Sequence, residues 1–70
     1  MKEITINSEF IKLDQFLKYA EIASTGGEAK TLIMDGEVKI NNTVEFARGK
    51  KIHVGDIIEF QKKQYKVVKE

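Results

Sequence analysis

The stretch Lys12–Gly36, KLDQFLKYAEIASTGGEAKTLIMDG, decides the fold. Apolar residues recur at Leu13, Phe16, Leu17 and Ala20 and again at Ala29, Leu32 and Ile33. That three-and-four spacing lines one face of a helix in each half. Between the halves lies Ser24-Thr25-Gly26-Gly27-Glu28. Thr25 can accept from the amide of Glu28 while Glu28 reaches back to the amide of Thr25, a capping box that starts the second helix. Gly36 ends it. Two glycines at a helix start leave free amides at the positive end of the dipole, which favours an approaching phosphate.

Outside this stretch the composition sets bounds. A 70-residue chain suits one domain over residues 1–70, because two cores could not each bury enough surface. With 41% hydrophobic and 33% charged residues it reads as a folded chain. There is no cysteine and a single histidine, which excludes disulfides and a thiolate zinc site, and no cofactor is expected. The first ten residues lack a signal-peptide core and no segment has the apolar length of a membrane span, so a cytoplasmic protein without a membrane partner is expected. Net charge is only +1, but it is unevenly spread. Residues 1–35 carry four lysines against six acids, and residues 36–70 carry eight lysines and arginines against five acids. Arg48, Lys50 and Lys51 cluster around one glycine.

Lys2 to Ile6 alternates as a half-buried strand does. Phe10 and Ile11 then lead into the first helix, which starts near Leu13, or earlier at Ser8, with Asp14 in its first turn. Asp14 and Lys18 are spaced to pair on the solvent face for about 0.3–0.5 kcal/mol. Beyond Gly36, Val38 to Ile40 begins a strand, and Asn41-Asn42 makes a two-residue turn into Thr43 to Phe46. Ala47 to Lys51 is a basic loop, Gly55-Asp56 a tight turn, and Ile57 to Phe60 with Gln64 to Val68 a final hairpin joined by Gln61-Lys62-Lys63. Its second strand can pair with the first strand of the chain.

This order gives an α+β domain, two short helices packed on a small, mostly antiparallel sheet of four to five strands. Phe16, Leu17, Leu32, Ile33, Val38, Ile40, Ile57 and Phe60 are the expected core, each worth about 1.5–3 kcal/mol on burial before entropy is charged against it.

Taken together, Lys12-Leu13-Asp14, Phe16-Leu17, the bend at Ser24, Ala29 with Leu32-Ile33, Gly36-Glu37-Val38-Lys39-Ile40-Asn41, and Val54-Gly55-Asp56 before Ile58 resemble the S-four RNA-binding domain, the alpha-L motif. The resemblance covers about residues 12–60. It implies a non-catalytic binder of structured RNA, ribosomal RNA above all, that uses the helix pair and a nearby basic loop and acts in ribosome assembly. The chain departs from the family in having Lys12 where arginine is usual before Leu-Asp, and Thr25-Gly26-Gly27 where a basic residue is usual after the bend. Lysine keeps the charge but loses the bidentate fork. The Gly-Gly bend is similar to the short stand-alone bacterial members of the family.

The implied RNA-binding residues are Lys12, Lys18, Ser24, Thr25, Gly26, Gly27, Lys30, Arg48, Lys50 and Lys51. Each has a plainer reading: the glycines as a permissive helix start, the lysines as solvated surface charge, the 48–51 loop as a solubilising turn. Lys18 is the weakest, because Asp14 can neutralise it. Tyr19 could stack on a base or edge the core. His53 has no partner at a motif spacing and Ser24 no base, so no catalysis and no small-molecule substrate are expected. A monomer is expected. Two competing classes are a β-grasp-like carrier, which would need a terminal Gly-Gly absent after Val67-Val68, and a protein-binding adaptor using the sheet.

Overall fold

The computed structural model describes residues 1–70. Its elements in chain order are β1 (Lys2–Ile6), β2 (Phe10–Lys12), α1 (Leu13–Tyr19), α2 (Gly26–Met34), β3 (Val38–Ile40), β4 (Thr43–Val44), β5 (Lys51–His53), β6 (Ile57–Phe60) and β7 (Lys63–Lys69). Five strands form one sheet in the order β1-β7-β6-β3-β4, and β2 pairs with β5 in a separate two-stranded ribbon. Only β1 and β7 run parallel; every other pair is antiparallel. The expected architecture of two helices on a small, mostly antiparallel sheet is therefore present, with the ribbon added to it.

The register explains which face of the sheet is buried. Ile4 lies opposite Val67, Ile58 opposite both Tyr65 and Ile40, and Val38 opposite Phe60. Side chains alternate along a strand, so these residues share the face that the helices cover. Leu13, Phe16, Leu17, Ala20, Ala29 and Ile33 meet them from α1 and α2, and Ile52 enters from β5. Phe16, Leu17, Ile33, Val38 and Ile40 are buried as the sequence indicated. Ile57 is not: it lies opposite Lys66 and is only half-buried, while Ile58 takes the core position. Leu32 and Phe60 are likewise only partly buried and pack at the margin of the core.

Both helices end in a Schellman motif. In α2 the Gly36 and Glu37 amides donate to the Ile33 and Leu32 carbonyls, with Gly36 at φ +76°. In α1 the Glu21 and Ile22 amides donate to Lys18 and Leu17, with Glu21 at φ +61° and no glycine to relieve it. At the start of α2 the Thr25 hydroxyl accepts from the Glu28 amide at 3.1 Å. Glu28 reaches back to the Ser24 amide, also 3.1 Å, and not to that of Thr25. The Asn41-Asn42 turn is as expected, both residues at positive φ. The last hairpin turns on Gln61-Lys62 alone, both also at positive φ, and Lys63 belongs to β7. The strand expected over Thr43 to Phe46 stops at Val44.

Two of the family-like pieces turn out to brace each other. The Asn41 side-chain amide donates to Asp56 at 3.1 Å, its carbonyl oxygen accepts from the Ile57 amide at 3.0 Å, and Asp56 accepts from the His53 amide at 2.8 Å. One side-chain pair thus ties the β3–β4 turn to the β5–β6 turn.

The two helix ends make opposite forecasts. Glu21→Gly relieves a strained left-handed residue and is expected to stabilise the fold by about 0.5–1 kcal/mol. Gly36→Ala creates such a residue and sets a Cβ 3.3 Å from the Phe46 ring, so a loss of about 1–2 kcal/mol is expected. Urea unfolding of both variants reads the signs directly; equal effects would refute the strain argument.

Candidate nucleic-acid interface

The start of α1 lacks a side-chain cap, since Lys12 at the N-cap makes no such bond. Its amides are satisfied from elsewhere in the chain. Leu13 donates to the Lys50 carbonyl at 2.8 Å and Asp14 to the Arg48 carbonyl at 3.0 Å. The Gln15 amide is taken by Asp14 Oδ1 at 2.8 Å. The other oxygen, Asp14 Oδ2, receives Arg48 Nε at 3.1 Å. Helix termini demand partners for such groups, and here the 47–50 loop supplies two of them and Asp14 the third.

This corrects two expectations. Asp14 is buried, 7% exposed, and serves Arg48 instead of pairing with Lys18 on the solvent face. Arg48 is correspondingly committed to Asp14, although half of its side chain remains exposed. Breaking such a pair leaves a buried carboxylate uncompensated, so the arginine acts first as an anchor.

α1 starts at Leu13 as expected, and the earlier start at Ser8 is not taken: Phe10 and Ile11 lead into it as strand and not as helix. They form β2, whose register with β5 sets Phe10 opposite His53, Ile11 opposite Ile52 and Lys12 opposite Lys51. Ile52 is fully buried, so the residues on either side of it point outward. Lys51 therefore lies in a strand and not in a loop. Lys12 and Lys51 face each other as like charges on one exposed surface, an arrangement that folding alone disfavours. On the same surface Phe10 stands 38% exposed, its ring 6.1 Å from that of His53, with Lys51 Nζ 4.8 Å from its centroid. Phe10 and His53 were not foreseen as a pair. The signal lay in Phe10-Ile11-Lys12 read with period two.

At the head of α2, Gly26 and Gly27 carry no positive φ, and an added Cβ would meet nothing at Gly26 and only Thr25 Oγ1 at 3.9 Å at Gly27. Neither conformation nor internal packing requires glycine at either position. Ser24, Thr25 and Lys30 are exposed beside them, and Lys18 is half-buried in the last turn of α1. Eight of the ten sequence-selected residues fall into two groups, with Ser24 just ahead of the second and Lys18 apart on α1. Lys12, Arg48, Lys50 and Lys51 are brought together by the ribbon and the loop. Thr25, Gly26, Gly27 and Lys30 form the α2 head, and no hydrogen bond or ion pair ties that head to the first group. An open concavity adjoins the first group, lined by Lys50, Lys51 and His53 together with Thr43, Glu45 and Asp56.

The S4 domain family model matches residues 4–68. The chain is 41% identical over 58 residues to the "Probable ribosome maturation protein RlbA" of Bacillus subtilis (strain 168), covering 83% of this chain and 82% of that one. Its fold is similar to the crystal structure of 30S ribosomal protein S4e from Thermoplasma acidophilum, with a TM-score of 0.71 at 18% identity over 86% of this chain. That alignment spans 32% of the ribosomal protein, so the likeness concerns one part of it.

Asp14→Asn keeps the size of the side chain but removes the charge that holds Arg48. It is expected to lower stability by about 1–3 kcal/mol and to speed amide exchange at Leu13 and Asp14, whose acceptors lie in the loop. Unchanged exchange at those two amides would show that the loop is held by other means.

Proposed function

This chain belongs to the S4 domain family, and from that premise we propose that residues 1–70 act as one RNA-binding unit for structured RNA, ribosomal RNA above all, in the maturation of ribosomes. The observation that carries the reading is the exposed cation set Lys12, Lys50 and Lys51, held on a ribbon and loop that are hydrogen-bonded to the start of a core helix. Two lysines directly opposed across a strand pair are tolerable where a polyanion neutralises both. Arg48 adds the exposed half of its side chain to the same surface.

The head of α2 supplies a second point of attachment. Its glycines leave the Gly26 and Gly27 amides unshielded, with Ser24, Thr25 and Lys30 around them, and a phosphate accepts well from such a helix start. Lys18 contributes charge from α1, now without Asp14 as a competitor. The naming of the Bacillus relative as a ribosome maturation protein supports the ribosomal setting. In this reading the protein acts by binding and not by turnover, as a monomer in the cytoplasm.

Lysine–phosphate pairs of this kind position a protein on RNA through backbone and shape. Lys50→Ala with Lys51→Ala is therefore expected to weaken binding to any folded RNA tested. The slope of log affinity against log salt should become shallower by about one unit for each phosphate that is no longer neutralised. Both side chains are exposed and neither makes a hydrogen bond or ion pair, so the fold itself persists. Filter binding across a salt series measures it, and an unchanged slope would contradict the assignment.

A further inference from the structure

We propose that the outward face of the β2–β5 ribbon is a stacking platform for an unpaired RNA base. Phe10 lies under the base, His53 flanks it, and Lys51 and Lys12 hold the neighbouring phosphates. The proposal rests on the RNA-binding reading and narrows it, because it names the kind of nucleotide that this surface takes.

Phe10 is the reason. Strand alternation turns Ile11 towards the core and leaves Phe10 and Lys12 pointing out, so any polar residue would serve the fold at position 10. An aromatic ring remains there instead, 38% exposed. The His53 ring lies 6.1 Å away and is tilted by 50°, so the two rings do not cover each other face to face. The Lys51 ammonium sits 4.8 Å from the Phe10 centroid, an attraction that is weak at an exposed site. A base and its phosphate exchange that one interaction for two better ones: the base stacks on the ring, and the ammonium turns to the phosphate. Asp56 holds the His53 amide at 2.8 Å, which fixes the end of β5 and hence the placement of the second ring.

The chemistry selects unpaired nucleotides. A base inside an A-form helix has both faces within the stack and cannot reach a protein ring, whereas loop and bulge bases can be splayed onto aromatic side chains. Because every base has a π-face, the platform tolerates sequence. The neighbouring concavity is polar, with Lys50, Lys51 and Thr43 beside the carboxylates of Glu45 and Asp56, so it suits the donor groups of a next base or sugar and not a phosphate.

The test uses the full chain with two RNAs of equal nucleotide count, a stem-loop carrying 2-aminopurine in the loop and a blunt duplex. Wild-type protein is expected to quench the loop fluorophore on binding. Phe10→Leu, which keeps an apolar side chain on the strand, is expected to abolish the quenching and weaken stem-loop binding about tenfold. It should leave duplex affinity and the salt slope unchanged, and circular dichroism checks that the fold persists. His53→Ala should move the same readouts less. If wild-type protein binds the stem-loop without quenching, or Phe10→Leu weakens both RNAs alike, the platform is refuted while RNA binding stands. If wild-type protein binds neither RNA, the RNA-binding reading fails, and the platform with it.

Discussion

Two backbone amides and one carboxylate at the start of α1 govern the arrangement of everything exposed around them. Leu13 and Asp14 take the carbonyls of Lys50 and Arg48, and Asp14 takes the Arg48 side chain. The bonds satisfy a helix end that has no cap of its own. They also bring a surface loop into register with a core helix whose Leu13, Phe16 and Leu17 are fully buried. The cations that the loop carries are thereby placed relative to the core.

The cost of those positions is electrostatic. Lys12 faces Lys51 across the ribbon, and Lys50 follows in the adjoining loop. Arg48, by contrast, has its charge matched by Asp14 within the protein. The charged residues of one short region thus divide: an arginine that holds the loop, and lysines whose side chains make no hydrogen bond or ion pair within the chain. The same division runs through the family-like pieces. Asp14, Asn41 and Asp56 are consumed by internal bonds, whereas Lys12, Lys50 and Lys51 are not.

Apart from the pairing of the last strand with the first, which is present, what could be read from the sequence was local. The spacing of Leu13, Phe16, Leu17 and Ala20, the Thr25 cap, the Gly36 stop and the Asn41-Asn42 turn each depend on neighbours within a few residues, and each is present. What could not be read depends on distant partners. Asp14 meets Arg48 across 34 positions of sequence, so its spacing from Lys18 was a false guide. Phe10-Ile11-Lys12 is a strand only because Lys51–His53 lies beside it, and three residues are too few to declare a period. Ile57 and Ile58 are equally apolar, and the pairing of Ile40 with Ile58 decides which one faces inward. Of the candidate site, the cationic residues were legible and their grouping was not, since the β2–β5 register is what places Lys12 beside Lys51.

On the reading proposed above, RNA lies against the lysine face of the ribbon and the loop anchored to α1. Amide chemical shifts of uniformly labelled protein, followed while a folded ribosomal RNA fragment is added, test it most directly. Lys12, residues 48–53 and the Gly26-Gly27 pair are expected to move together and saturate at one RNA concentration. Shifts confined to the edge strands β1 and β4, with those residues silent, would contradict it.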